Sequence, residues 1–236
     1  MASPELVVCA DLEAAASAAR DRIREAAAVA IAARGRFSLC VDGGRPTQRL
    51  LALLAEGGLA WGKVDLWLGD ERRVPVTDKL SNAGMIEREL LMKLAERPAF
   101  RAPNGAAPDG DRAAKDFEDA WRRENPSGVD FLLLGMGPDG HTASLFPGSP
   151  ALKEDRHFAL HVPAPTTVEP KVDRLTLTPP AILQAKALLL FAIGAEKREA
   201  LGRLLGNAGD EAQTPSRLIR RYPGTPVVIA DQAAKG

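Results

Sequence analysis

Phe131 to Pro147 reads FLLLGMGPDGHTASLFP, an apolar run that meets a glycine-rich turn carrying an acid and a histidine. Phe131 to Leu134 is uninterrupted and apolar, as a strand buried on both faces requires, and Gly135, Gly137 and Gly140 then punctuate the chain. After the turn, Thr142, Ala143, Ser144 and Leu145 can begin a helix, which would put Asp139 and His141 between the carboxyl end of a strand and a helix N-terminus. Open parallel sheets bind ligands at that edge. Glycines let a backbone approach an anion closely, and the first free N–H groups of a helix favour negative charge. Taken alone, the GxGxxG-like spacing suggests a dinucleotide fingerprint. Such a site opens the first βαβ unit and has an acidic residue roughly 20 residues on, whereas this turn lies past the middle of the chain and carries Asp-Gly-His-Thr. The bland alternative is a glycine turn with a capping histidine. The chain has three histidines, and one that sits in a turn beside an acid reads as functional.

The same layout of strand, glycine turn and helix recurs on either side. Phe37 to Val41 ends at Asp42-Gly43-Gly44-Arg45-Pro46-Thr47 before the helical pattern of Gln48 to Ala55. That is the arrangement of a phosphate cradle, or of an ordinary tight connection. Val64 to Leu68 runs straight into Gly69-Asp70-Glu71-Arg72-Arg73-Val74-Pro75, with Ser81-Asn82 following. On the carboxyl edge of the same sheet this loop brings Asp70 and Arg72 toward the histidine turn, while Glu71 and Arg73 point the other way and serve structure. Ala187 to Ile193 is apolar throughout, and Gly194-Ala195-Glu196-Lys197 opens a helix to Leu205. A lysine in a first helical turn opposes the macrodipole unless it reaches an anion.

Between these units lie a long helix over residues 11 to 33 with a solvated charged face, and helices over Asn82 to Leu94 and Asp111 to Glu124. The Pro- and Gly-rich loop 98 to 110 separates the last two, as a surface connection or a flap. Phe158 to Val162 reads as a strand, Pro163 to Pro170 as a loop, Asp173 to Thr178 as an alternating strand and Pro226 to Ala230 as the last strand. Strands alternating with helices indicate one domain over 1–236, an α/β fold with a mostly parallel, doubly wound sheet and helices on both faces.

Composition limits the function classes. The 236 residues are 45% hydrophobic, enough for a substantial core. Equal counts of 31 basic and 31 acidic residues leave no net charge, which argues against a nucleic-acid or anionic-membrane partner. Cys9 and Cys40 are too few for a disulfide framework or a cysteine metal site, and no apolar run approaches the ~20 residues of a membrane span. The expected compartment is the cytoplasm, and the expected assembly a monomer or weak homodimer.

GMGPDGHTASLFP closely resembles the signature of the 6-phosphogluconolactonases over thirteen consecutive residues. The resemblance extends over most of residues 36 to 235. It includes GDER followed by Val-Pro and a Ser-Asn pair, and an Arg-x-Thr-Leu-Thr matched by Arg174 to Thr178. It implies a fold related to glucosamine-6-phosphate deaminase, a sugar-phosphate lactone as substrate, and hydrolysis to 6-phosphogluconate in the oxidative pentose phosphate pathway, with no cofactor and no metal. An imidazole titrates near ~6.5 and can take a proton from water at neutral pH, so His141 is the expected general base, with Asp139 orienting it. The expected substrate-binding residues are Gly43, Gly44, Arg45, Asp70, Arg72, Asn82, Gly137, Thr142, Arg174 and Lys197. Arg174 and Lys197 are implied to hold the phosphate, and Lys171 lies near a common family lysine. Backbone N–H groups of the glycine turn or Arg72 would meet the developing oxyanion. In the family the first glycine turn reads Ser-Gly-Gly-Ser-Thr-Pro, so Asp42, Arg45 and the Pro46-Thr47 order depart from it. The alternatives are a glucosamine-6-phosphate deaminase, which shares the fold, and a sugar-phosphate sensor domain without catalysis.

Overall fold

A computed structural model of the chain describes residues 3–166, 168–207 and 209–236. The first half holds β1 (Glu5–Cys9), α1 (Leu12–Arg34), β2 (Phe37–Val41) and α2 (Arg45–Ala55). It continues through β3 (Val64–Leu68), β4 (Asp70–Arg72), α3 (Asn82–Glu89), β5 (Ala99–Arg101) and α4 (Gly110–Glu124). The second half opens with β6 (Phe131–Gly135), β7 (Ala159–Val162), β8 (Arg174–Leu177) and α5 (Pro179–Leu183). It closes with β9 (Leu188–Ala192), α6 (Arg198–Leu205), β10 (Val227–Asp231) and α7 (Gln232–Lys235).

Seven strands pair in parallel in the order β1-β10-β9-β6-β2-β3-β5. In the central β6 and β9 the apolar run is unbroken because both faces of the strand are covered by helices. From β6, Leu132 and Leu134 join Trp67, Leu188 and Leu190 in a core closed by α4, α5, α6 and α7. Phe131 and Leu133 join Leu39, Leu66 and Phe191 in the opposite core, beneath α1, α2 and α3. Trp67 meets Trp121 edge to face with 5.2 Å between ring centroids, which fixes α4 on its side of the sheet. The expected doubly wound sheet is what forms.

From β2 the chain steps outward to β3 and β5, and from β6 it steps the other way to β9 and β10. β2 and β6 are adjacent, so the strand order reverses between them and a crevice opens at their carboxyl ends. At Gly69 the chain leaves β3 for a second sheet of β4, β8 and β7, all antiparallel. The Gly69 N–H bonds Val41 O and its carbonyl accepts from Leu177 N–H, which seats this small sheet against the rim of the crevice.

Three local expectations change. Thr142 to Leu145 form no helix: Ala143 has φ 47°, and Leu145 N–H bonds back to Thr142 O. Loop 98–110 contains β5, and the Arg73 guanidinium donates to Ala107 O and Pro108 O, so the loop is tied down as a surface connection. The helix expected from Asn82 to Leu94 ends at Glu89 and is followed by a 3-10 turn over Leu91–Lys93. β1, which the sequence reading does not anticipate, pairs with β10 at the sheet edge.

Candidate active site

A cavity of about 740 Å³ fills the crevice. After β2 the chain presents Gly43, Gly44 and Arg45 to it, and after β6 it presents Gly137 and His141. Asp70 and Arg72 reach it from β4, Asn82 from the start of α3 and Lys197 from the turn before α6. Nine of the residues singled out from sequence therefore share one cavity.

His141 is held from one side only. Asp139 Oδ1 lies 2.6 Å from Nδ1 and also accepts the His141 backbone N–H at 3.1 Å. A carboxylate can only accept, so Nδ1 carries a proton, and in the neutral ring Nε2 is the nitrogen with the free lone pair. Burial pushes the Asp139 carboxyl up, but the hydrogen bond and charge of His141 outweigh it and hold the pKa below its ordinary value. The Phe146 ring packs 4.9 Å from the imidazole. Gly137 is required beneath it, because a Cβ there would collide with Cε1 and Nδ1.

The turn that carries His141 uses its own amides. Gly137 N–H bonds His141 O at 2.8 Å and Gly140 N–H bonds Gly137 O at 3.0 Å. They are not free to receive an oxyanion, which leaves Arg72 of the two groups expected from sequence. Arg72 is fixed by an Nη1 bond of 2.7 Å to Leu80 O.

The N-terminus of α2 supplies the open donors. Its first backbone bond runs from Gln48 N–H to Gly44 O, so the N–H groups of Gly44, Arg45 and Thr47 precede the helical ladder and border the cavity. Gly43 has no room for a side chain, since a Cβ would strike the Asn82 amide. Asn82 in turn donates Nδ2 to Asp70 O at 2.9 Å and to Asp70 Oδ1 at 3.1 Å. Lys197 sits half-buried opposite; burial lowers its pKa, Glu196 opposes this, and the charge of Arg45 lowers it further. Two cations on one cavity, beside free helix N–H groups, give it the electrostatics that suit an anion.

Glu71 has the structural role expected of it. Burial raises its pKa, while amides of Ala83, Asn82 and Arg72 and the Ser81 hydroxyl, all within 2.9 Å, bind the carboxylate and cap α3.

Thr142 and Arg174 do not line the cavity. Thr142 is buried with its hydroxyl donating to Gly135 O at 2.8 Å, which closes the turn. Arg174 is 3% exposed and donates to Val172 O and Pro170 O at 2.6 Å each. Burial, followed by the charge of Arg72 on the paired strand, pushes the guanidinium down to about 10. These two bonds tie down the loop whose Val168 and Glu169 border the cavity. Arg174→Ala is accordingly expected to cost about 1–2 kcal/mol of stability and to lower turnover of phosphorylated and unphosphorylated substrates by similar factors. Urea melts and paired kinetics check this, and a loss confined to the phosphorylated substrate would reassign the residue. Lys171 is exposed and lies 3.8 Å from Glu169.

Sequence reasoning missed Val168, Glu169, Met136 and Phe191, which also border the cavity. Phe191 and Met136 read as core residues, and the loop carrying Glu169 has no pattern of its own.

Residues 10–228 match the family described as glucosamine-6-phosphate isomerases/6-phosphogluconolactonase. A 6-phosphogluconolactonase of Streptomyces coelicolor is 36% identical over 98% of this chain and 94% of its own length. One of Mesorhizobium japonicum is 38% identical over 88% of this chain and 87% of its own. Among solved structures, a 6-phosphogluconolactonase from Shewanella baltica superposes with a TM-score of 0.88 at 28% identity, covering 97% of each chain. A monomeric glucosamine-6-phosphate deaminase superposes at 0.81 with 20% identity, over 98% of each chain, which shows a shared fold. With the family match over nearly its whole length and relatives above 30% identity, the chain belongs to the glucosamine-6-phosphate isomerase/6-phosphogluconolactonase family.

Proposed function

We propose that this chain hydrolyses 6-phosphoglucono-δ-lactone to 6-phosphogluconate, with His141 as general base. The observation that carries the reading is the Asp139–His141 pair at 2.6 Å, whose free Nε2 shares a cavity with the α2 N-terminus, Arg45, Arg72 and Lys197. Nε2 takes a proton from water as the water oxygen attacks the lactone carbonyl. The Asp139 carboxylate stabilises the imidazolium, and Arg72 faces the negative charge that develops on the carbonyl oxygen. Collapse of the tetrahedral intermediate breaks the bond to the ring oxygen. The imidazolium returns its proton to that oxygen, leaving an open-chain carboxylic acid that ionises by releasing its own proton to solvent. The phosphate is held by Lys197, Arg45 and the N–H groups of α2, at the far end of the substrate from the reacting carbon. The curated relatives named above are themselves 6-phosphogluconolactonases, and the reaction belongs to sugar-phosphate metabolism in the cytoplasm. None of the described helices is long and apolar enough to cross a membrane.

The deciding experiment supplies purified protein with freshly made lactone and, separately, with glucosamine 6-phosphate, following acid release and ammonia release in parallel. Acid release above the spontaneous rate with no ammonia is expected. Ammonia release would make the chain a deaminase, and neither product would make it a binding domain.

Arg45 stands where the family pattern has serine. Its side chain is exposed at the cavity mouth with no hydrogen-bond partner among the described residues. Arg45→Ser is expected to weaken 6-phosphogluconate binding several-fold, at about 0.5–1.5 kcal/mol for a solvent-screened contact. Calorimetric titration reads it directly, and unchanged affinity would leave the phosphate to Lys197 and the α2 amides.

A further inference from the structure

The segment after His141 is gripped by two carboxyls from neighbouring strand ends. Asp42, immediately after β2, accepts the Ala143 N–H at 3.2 Å and the Gly135 N–H at 3.3 Å on the same oxygen, Oδ2. Asp70, at the start of β4, accepts the Ser144 hydroxyl at 2.8 Å on its own Oδ2. Ala143 is the one non-glycine residue with positive φ among those described, so the carboxyl of Asp42 holds a strained residue two positions from the base.

We propose that Asp42 is a positioning residue that clamps the Gly135–Ala143 turn to the end of β2 and so fixes where the His141 imidazole points. It does so as an uncharged acid. Asp42 is 3% exposed, and its Oδ1, packed over Gly69, is buried without a partner. The carboxyl's only hydrogen bonds among the described residues come from the Gly135 and Ala143 amides, with no ion pair to a cation, and a carboxylate buried without a paired charge is costly. The charged and titratable groups that face it are Asp70 and Arg72 from β4 and the buried Cys40 thiol from β2. Gly135 and the turn that follows β6 offer it amides. Burial and then the charge of Asp70 raise the Asp42 pKa well above the carboxylate range, and the two amide bonds and Arg72 only partly oppose this.

Two consequences separate this role from a catalytic or merely space-filling one. The amide of Asn is an uncharged isostere that can accept the same two N–H groups, whereas Ala leaves both without a partner. Protonation also has a sign. Unfolded, Asp42 releases its proton near ~3.9, while the folded group retains it to higher pH. Stability that is complete below that value is therefore lost as pH rises toward the folded pKa. Asp42→Asn lacks this loss.

The inference rests on His141 being the base, and the test compares wild type, Asp42→Asn and Asp42→Ala by lactone kinetics, product calorimetry and melting curves from about pH 4.5 to 8. Asp42→Asn is expected to keep kcat within about threefold of wild type and to gain in melting temperature relative to it as pH rises. Asp42→Ala is expected to lose kcat by about 30-fold or more, with KM and 6-phosphogluconate affinity within about threefold. If the Ala variant does not fold, the Asn variant decides. Loss of kcat in Asp42→Asn as large as that in Asp42→Ala would overturn the uncharged clamp, as would a melting difference that is flat with pH. Wild-type turnover in a folded Asp42→Ala would overturn the clamp itself. The pH dependence of melting is read without substrate, so it survives even if the separate His141 test removes that residue as base.

Discussion

His141→Ala lowers enzyme-catalysed lactone hydrolysis by about 10²- to 10⁴-fold while the protein stays folded. The imidazole is partly exposed and touches little: Asp139 on one nitrogen, the Phe146 ring on one face and Gly137 beneath. Its removal takes away the one imidazole among the described residues that line the cavity, the group proposed to accept a proton from water. The turn keeps its shape through Gly137 N–H to His141 O, which needs no side chain. A small loss of stability does follow. With its pKa depressed by His141, Asp139 contributes stability above its unfolded pKa that is lost as pH falls through the folded one. The variant should melt slightly lower than wild type at neutral pH, with the gap closing in acid. Turnover within a few-fold of wild type, after subtracting spontaneous hydrolysis, would remove His141 from the role.

Lys197→Ala raises KM for the phosphorylated lactone by about 10- to 100-fold, the equivalent of the ~1.5–3 kcal/mol typical of a charge-assisted contact. Residual hydrolysis of unphosphorylated gluconolactone should be nearly unchanged, because in the proposed binding mode the ammonium meets the phosphate and stands away from the reacting carbon. Its pKa is already lowered by burial and by Arg45 across the cavity. Lys197 and Arg45 share one cavity, and a phosphate dianion bound between them would offset their mutual repulsion. Equal losses on both substrates would show instead that Lys197 supports the fold or the chemistry.

The five inner strands of the central sheet were legible because a chain buried on both faces must be largely apolar, as Phe131–Leu134 and Leu188–Ala192 are, whereas the partly exposed edge strands β1 and β5 were not. The glycine turns were legible for a related reason. Gly43 and Gly137 stand where any side chain would strike Asn82 or His141. What failed was local propensity read without its partners. Thr142–Leu145 has a helical composition, yet the amides of Ala143 and Ser144 go to Asp42 and to Thr176 Oγ1, 101 and 32 residues away. No window of neighbouring sequence contains that competition. Arg174 matched a motif, but whether a guanidinium turns to a ligand or to the carbonyls of Pro170 and Val172 depends on the path of a proline-rich loop. Glu169 reached the cavity by that same path.

The reversal of strand order between β2 and β6 also governs when the molecule becomes competent. The α2 amides, Asp70 and Arg72 come from one half of the chain, and Asp139, His141 and Lys197 from the other. The halves join through Leu39–Phe131, Cys40–Leu132 and Val41–Leu133, with Ser38 N–H bonding Asp130 across 92 residues. Parallel pairing at such separation is slow to nucleate because a long loop must close before any contact repays it. A growing chain that has emerged only as far as Asn125 carries the α2 amides and Arg72 but neither His141 nor Lys197. Recovery of activity during refolding should therefore lag helix formation and coincide with closure of this central pair, and two fragments divided between α4 and β6 should be inert apart and active only once docked.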